Sequence, residues 1–94
     1  MHYVYVIQSL VDQSFYVGRT ADLQNRLEYH NSADKNIGVT SHKIPWQYYY
    51  ILKVDNATLA AKIERHIKRM KSKVYLENLT IYAEIGERLI KKYS

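Results

Sequence analysis

Two short strand-like segments separated by a polar turn open the chain, and this pairing limits the fold more than any other feature. Tyr3–Leu10 is aromatic and β-branched, with apolar side chains on both faces of a pleated strand. Asp12-Gln13-Ser14 is a polar turn, after which Phe15–Gly18 resumes the strand pattern. The spacing predicts a β-hairpin whose second strand ends at Gly18.

One helix and one further strand are expected next. A cap at Thr20 or Asp22 can start a helix that runs to about His30, with its leucines facing a core. A polar loop then leads to Pro45, and Trp46–Val54 is a dense strand with three consecutive tyrosines.

The rest of the chain is predicted to be helical. The longest pattern starts at Asp55 or Asn56, and its apolar stripe consists of Leu59, Ile63, Ile67, Met70 and Val74. A last helical region over Tyr75–Tyr93 is expected to break near Gly86. The order β-β-α-β-α-α predicts an α+β fold with a three-stranded, mainly antiparallel sheet flanked by helices.

Length and composition indicate one domain, because 94 residues are too few for two. The chain has no cysteine, which excludes disulfides, thiolate zinc sites and cysteine nucleophiles and fits a reducing cytoplasm. No apolar run approaches the roughly 18 to 20 residues that span a bilayer, and the first residues do not resemble a signal peptide. We expect a soluble, cytoplasmic protein without membrane association.

Positive charge is concentrated in one segment. Residues 62–73 account for the net charge of +5, with Glu64 as their one acid among six basic residues: Lys62, Arg65, Lys68, Arg69, Lys71 and Lys73. Basic and acidic groups balance in the remainder of the chain. Such a stripe is typical of a nucleic-acid-binding surface, although a solvated helix face explains the charges equally well.

Few residues are candidates for chemistry, since the sequence lacks a glycine-rich phosphate loop and zinc-ligand spacing. Arg26 and His30 lie four apart on one helix face, where an arginine can bind phosphate and a histidine can transfer a proton. An ion pair between Asp22 and Arg26 and a helix-dipole effect on His30 explain the same residues without function.

Glu64 lies at the margin of the apolar stripe and could hold one Mg²⁺, which needs only one or two carboxylates besides water and substrate oxygens. A salt bridge to Lys68 is the structural alternative. Tyr5 and Tyr16 fall on neighbouring strands, where a phenol can orient a water or simply pack.

The series Tyr3-Val4-Tyr5, Tyr16-Val17-Gly18-Arg19, Arg26, His30 and Glu64 resembles the GIY-YIG nuclease family in order and spacing. The resemblance covers residues 3–79, so 80–94 is expected to be a C-terminal helical extension. It is closest to small stand-alone bacterial members and to the catalytic domain of structure-specific junction endonucleases. Tyr3 replaces the glycine of the first motif, and valine replaces isoleucine in both motifs.

The resemblance implies a phosphodiester hydrolase that uses one Mg²⁺ or Mn²⁺. Tyr5 and Tyr16 match the tyrosines that position or deprotonate the attacking water, and Arg26 matches the arginine that stabilises the scissile phosphate. His30 matches a histidine that orients a tyrosine or shares proton transfer, whereas Glu64 matches the metal-holding glutamate. Gly18 matches the glycine that lets DNA approach, and Arg19 is either a further phosphate contact or an exposed side chain.

The expected function is a DNA endonuclease with little sequence specificity and selectivity for structures such as branches or flaps. The basic stripe would bind the DNA backbone. A catalytically silent nucleic-acid-binding module of the same fold is the alternative. A partner protein or a homodimer is also compatible with the sequence, with the tyrosine-rich strand and the last helix as candidate surfaces.

Overall fold

Three antiparallel strands form one sheet in the order β2-β1-β3, and four α-helices pack around it. A computed structural model describes all 94 residues. The elements are β1 His2–Ser9, β2 Phe15–Thr20, α1 Leu23–His30, a short 3-10 helix Val39–Lys43, β3 Trp46–Val54, α2 Ala57–Met70, α3 Lys73–Ile81 and α4 Ala83–Tyr93. The predicted α+β class with a three-stranded antiparallel sheet is confirmed.

The central strand β1 sends alternate side chains to opposite faces of the sheet. Val4 and Val6 enter a core on one face, whereas Tyr5 and Ile7 enter a separate core on the other. Tyr5 lies opposite Gly18 on β2, and Ile7 lies opposite Tyr16. Tyr5 and Tyr16 therefore share one face of the sheet.

The hairpin prediction is confirmed, but its second strand does not end at Gly18. β2 continues to Thr20, because Arg19 and Thr20 pair with residues of β1. The ladder hydrogen bonds of an antiparallel pair outweigh the local preference of glycine for turns. Thr20 is buried at the end of this strand, and Asp22 rather than Thr20 caps α1.

The long predicted helix ends earlier than its apolar pattern suggests. α2 stops at Met70 because Lys71 adopts a left-handed conformation with φ of 47°, and the Ser72 side chain caps α3. Met70 and Val74 are 44% and 63% exposed, so their assignment to the core was wrong. The change of helix direction at Lys71 takes Val74 off the stripe.

The last helical region was predicted to break near Gly86, but it breaks at Tyr82. Tyr82 is extended between α3 and α4, and its N–H donates to the carbonyl of Asn78. Gly86 is buried inside α4, where an added Cβ would lie 2.6 Å from Tyr50 Oη. This glycine allows close packing of α4 on the sheet and does not end a helix. The region therefore consists of two helices that meet at Tyr82.

The larger core lies between one face of the sheet and helices α2, α3 and α4. Its ten buried members are Val4, Val6, Val54, Leu59, Ala60, Ile63, Ile67, Leu76, Leu79 and Leu89. The smaller core on the opposite face contains only Tyr5, Ile7 and Trp46 as buried members, with Leu27 of α1 packed against it. No helix combines the length and the apolar character needed to cross a bilayer.

Candidate active site

A pocket of about 470 Å³ lies beside the smaller core, where β1, β2, α1, α2 and the segment after α1 meet. It is lined by all five predicted catalytic residues and by Arg19: Tyr5, Tyr16, Arg19, Arg26, His30 and Glu64. These positions span from residue 5 to residue 64 of the chain. The fold thus brings together the residues that the family resemblance selected.

Tyr5 forms the floor of this pocket. Its side chain is almost fully buried, and its Oη lies 2.9 Å from Nε2 of His30. Its ring also meets the rings of His30 and Tyr48 edge to face. Burial raises the pKa of the Tyr5 phenol well above its ordinary value, although the Arg26 charge opposes this shift. Tyr5 is therefore a neutral phenol at neutral pH.

Gly18 lies directly over the Tyr5 hydroxyl. An ideal Cβ at this position would be 2.5 Å from Tyr5 Oη and 2.6 Å from Cζ. Any side chain here would collide with the tyrosine. The glycine of the second motif is thus required by the close approach of two strands within the pocket.

His30 is the last residue of α1 and is held on both ring nitrogens. Its Nε2 faces Tyr5, and its Nδ1 lies 2.9 Å from Oγ1 of Thr40. Burial lowers the pKa of His30 to about 4, with a further contribution from the Arg26 charge. The imidazole is neutral at neutral pH. A favourable interaction with the helix dipole was the structural alternative expected from the sequence for His30. The main contacts of its buried ring are instead with Tyr5 and Thr40.

Arg26 extends from α1 at the rim of the pocket. Asp22 does not pair with it, because the Asp22 carboxylate accepts hydrogen bonds from the backbone and side-chain nitrogens of Asn25. The guanidinium instead lies 5.5 Å from the ring centroid of Tyr29. Arg26 is exposed and free to bind an anion in the pocket.

Glu64 projects from α2 into the opposite wall. Its Oε1 accepts a hydrogen bond from Arg19 at 2.6 Å, and its Oε2 pairs with Lys68 Nζ at 2.9 Å. The predicted alternative, an ion pair with Lys68, is therefore present together with a second one. Lys68 Nζ also lies 5.7 Å from the ring centroid of Tyr16, which joins this charged cluster to the tyrosines.

The donor groups at this wall fit one kind of metal site. No cluster of three or more histidine, cysteine or acidic side chains exists in the structure, so a zinc or calcium cage is not available. A magnesium-type ion needs as little as one carboxylate and completes its shell with water and substrate oxygens. Glu64 meets that requirement once Arg19 or Lys68 releases one oxygen of the Glu64 carboxylate.

A basic groove continues from the pocket along α2. It has a volume of about 360 Å³ and is lined by Arg19, Ala61, Glu64, Arg65, Lys68, Arg69 and Lys71. Arg19 and Glu64 belong to both cavities. Four of the six residues of the predicted stripe thus face the groove, whereas Lys62 and Lys73 do not line it.

The sequence reasoning missed the residues that hold His30. Thr40 and Asn36 are both buried, and they lie in a segment that was assigned only as a polar loop. The Trp46 indole donates to the Thr40 carbonyl at 2.8 Å and fixes that segment against the smaller core. No periodic signal marks such residues, because their contacts depend on how the loop folds back over α1.

Comparison with known proteins assigns the family. The model of the GIY-YIG catalytic domain matches residues 1–78. A UPF0213 protein of Bacillus pumilus is 35% identical over 94 residues, covering 97% of this chain and 94% of the relative. A UPF0213 protein of Oceanobacillus iheyensis is 35% identical over 69 residues, covering 73% of this chain and 78% of the relative.

A third UPF0213 protein, from Syntrophus aciditrophicus, is 28% identical over 88 residues and covers 94% of this chain and 97% of its own length. No solved structure gives a significant match. The family match spans the strands, α1 and α2, which supply every residue of the pocket named in the predictions. The three relatives named above are bacterial UPF0213 proteins, and the chain belongs to the GIY-YIG catalytic domain family, a family of nucleases.

Proposed function

We propose that this protein is a metal-dependent DNA endonuclease that hydrolyses phosphodiester bonds with little sequence specificity. The observation that supports it best is the convergence of Tyr5, Tyr16, Arg26, His30 and Glu64 on one pocket that opens into a basic groove. A pocket with cations on two walls and phenols between them suits a phosphodiester.

In this proposal the basic groove binds the DNA backbone and leads one phosphate into the pocket. Arg65, Arg69 and Lys71 would contact flanking phosphates, which position the duplex without reading its sequence. Arg26 would bind the scissile phosphate at the rim, where its planar guanidinium can pair with two phosphate oxygens. Gly18 would allow the backbone to approach the tyrosines.

Hydrolysis adds a water oxygen to phosphorus and breaks one P–O ester bond, with the leaving oxygen taking up a proton. Tyr5 and Tyr16 would orient the water by hydrogen bonds, and charge that builds on the phosphate oxygens would be stabilised by Arg26. Glu64 would hold one Mg²⁺ or Mn²⁺ ion, which supplies further stabilisation of that charge when bound. Arg19 would then turn from Glu64 toward the DNA.

Selectivity for branched or flap DNA is the finer part of the proposal. Ile37 and Val39 are 91% and 75% exposed on the segment after α1, and Val39 also lines the pocket. Exposed aliphatic side chains beside a phosphate site suit insertion between bases, and a branch or flap offers bases whose unstacking costs less than in a regular duplex. Replacing both by serine should reduce the preference for branched over linear DNA.

A catalytically silent DNA-binding module is the second candidate, and one observation favours it. Both oxygens of Glu64 are already paired with cations, so a metal ion must displace Arg19 or Lys68. If that displacement is too costly, the groove would still bind DNA without cleavage.

Cleavage assays on wild type and Glu64→Gln separate these functions. Labelled linear, flap and four-way-junction DNA is incubated with Mg²⁺, with Mn²⁺ or with chelator. Glu77→Gln serves as the control, because Glu77 is exposed on α3 and outside the pocket. We expect metal-dependent cleavage in wild type and Glu77→Gln and none in Glu64→Gln, which still binds DNA. Binding by all three proteins without any cleavage would support the silent module.

A further inference from the structure

A chain of buried hydrogen bonds runs from the segment after α1 to the tyrosine at the pocket floor. It links Asn36, Thr40, His30 and Tyr5 in that order. All four residues are buried, and each link lies between 2.6 and 2.9 Å. The orientation of Asn36 at one end fixes the direction of every hydrogen bond in the series.

The amide of Asn36 has a fixed orientation. Its Oδ1 accepts a hydrogen bond from the backbone N–H of Gly38 at 3.0 Å, so this end must be the oxygen. Its Nδ2 donates to the carbonyl of His30 at 2.9 Å, so that end must be the nitrogen. The same nitrogen lies 2.6 Å from Oγ1 of Thr40 and therefore donates to it.

The Thr40 hydroxyl consequently has to donate in the other direction. A hydroxyl carries one hydrogen, and a buried donor without an acceptor is costly. Thr40 is 3% exposed, and the one acceptor that the chain places within hydrogen-bonding distance of Oγ1 is Nδ1 of His30. Thr40 therefore donates to Nδ1, which must be unprotonated.

A neutral imidazole has one N–H, so an unprotonated Nδ1 puts the hydrogen of His30 on Nε2. Nε2 then donates to Tyr5 Oη across the 2.9 Å contact. The hydrogen of the Tyr5 hydroxyl cannot point back at His30. It has no other acceptor within the chain, and the remaining open side of Oη is the pocket.

We infer that Asn36 and Thr40 are positioning residues that hold His30 as its Nε2–H tautomer, so that Tyr5 presents its hydroxyl hydrogen to a ligand oxygen in the pocket. The role in catalysis rests on the proposed nuclease function. In that function, Tyr5 donates a hydrogen bond to the attacking water or to a phosphate oxygen, and His30 orients the Tyr5 hydroxyl through its Nε2–H without accepting the Tyr5 proton. The opposite tautomer would reverse both roles.

The tautomer can be read directly by NMR on the full chain. A long-range ¹H–¹⁵N correlation spectrum of ¹⁵N-labelled protein at pH 7 distinguishes protonated from unprotonated ring nitrogens, and the His30 signals are assigned by their loss in His30→Gln. We expect a protonated Nε2 and an unprotonated Nδ1 for His30. A protonated Nδ1, alone or together with a protonated Nε2, would overturn the inference whether or not the protein cleaves DNA.

The positioning role is tested with Thr40→Val and Thr40→Ser. Valine keeps the size of the side chain and removes the hydroxyl, whereas serine keeps the hydroxyl. On a DNA that wild type cleaves, Thr40→Val should lower kcat about tenfold, the effect of one hydrogen bond, with DNA affinity unchanged. Thr40→Ser should stay within about twofold of wild type.

Circular dichroism and thermal melting show whether each variant is folded. A folded Thr40→Val with the wild-type kcat would refute the positioning role, and equal losses in both variants would do the same. If wild type cleaves none of the DNAs, the proposed function fails while the NMR spectrum still decides the tautomer.

Discussion

Gly18→Ala tests whether the spacing between β1 and β2 sets the geometry of the pocket. The added Cβ would lie 2.5 Å from Tyr5 Oη, whereas ordinary contacts of this kind begin at 3.4 Å. Tyr5 must therefore move by about 0.9 Å or β2 must shift by a similar distance. Tyr5 is packed between His30 and Tyr48, so its ring has little freedom to move.

The expected losses follow from this displacement. Overpacking of a well-packed site costs about 1 to 3 kcal/mol, which lowers Tm by roughly 5 to 20 °C in a domain of this size. A 0.9 Å movement of Oη directly away from His30 would break their 2.9 Å hydrogen bond, and a sideways movement would misalign it. Misplacement of this size near reacting atoms lowers the cleavage rate about 100-fold.

Gly86→Ala is the matched control. Its Cβ would lie 2.6 Å from Tyr50 Oη, an almost equal collision, but on the opposite face of the sheet and away from the pocket. Part of that cost is offset because alanine is favoured over glycine in a helix by roughly 0.5 to 1 kcal/mol. We expect a lower Tm with an unchanged cleavage rate and unchanged DNA binding.

Urea unfolding, monitored by circular dichroism, measures the stability of each variant. Single-turnover kinetics measure its cleavage rate. Gly18→Ala should lose more cleavage rate than its loss of stability explains, because the added Cβ displaces Tyr5 while the cations that line the basic groove are unchanged. A folded Gly18→Ala with wild-type cleavage would refute the proposed role of Tyr5 geometry, as would an equal loss of rate in Gly86→Ala.

Three further outcomes are expected. The folded state keeps His30 neutral, with its pKa lowered to about 4 by burial, so the stability from this group is present above pH 6.5 and is lost as pH falls toward 4. Urea titrations at pH 7, 5 and 4 should show a loss of up to about 3 kcal/mol that is absent in His30→Gln. Lys71→Gly should raise stability by roughly 0.5 to 1 kcal/mol, measured by thermal melting without DNA, because glycine adopts the φ of 47° at that position without strain. Arg69→Ala should reduce the salt dependence of DNA binding by about one counterion, measured as the slope of log K against log salt concentration. Lys62→Ala, outside the groove, should change this slope less. Equal slopes for the two variants would mean that DNA binds outside the groove.

The sequence predicted those features that depend on local pattern. Alternation in Tyr3–Leu10 and the polar turn after it predicted the hairpin, and Trp46–Val54 is the third strand with the same bounds. The resemblance of the motif series to the GIY-YIG family predicted that Tyr5, Tyr16 and Arg26 belong to one site, and their side chains line one pocket. Their proposed roles in catalysis stay predictions.

Features that depend on packing between distant segments could not be predicted from the local sequence pattern. Val74 continues the apolar spacing of α2, yet the left-handed Lys71 ends that helix first. A glycine such as Gly86 predicts a helix break from sequence alone, but its contact with Tyr50 shows that it serves close packing. Arg19 left two interpretations open, and only the approach of β2 to α2 shows its ion pair with Glu64.

The unequal size of the two cores divides the molecule into parts of different local stability. One face of the sheet is covered by ten buried residues and three helices, whereas the pocket face has a three-residue core beneath α1 and the 31–45 segment. Free energies of local opening follow the amount of buried apolar contact. Amide hydrogens of α1 should therefore exchange with deuterium faster than those of α2. We expect the pocket wall to open locally to a bulky polymer while the rest of the domain stays folded.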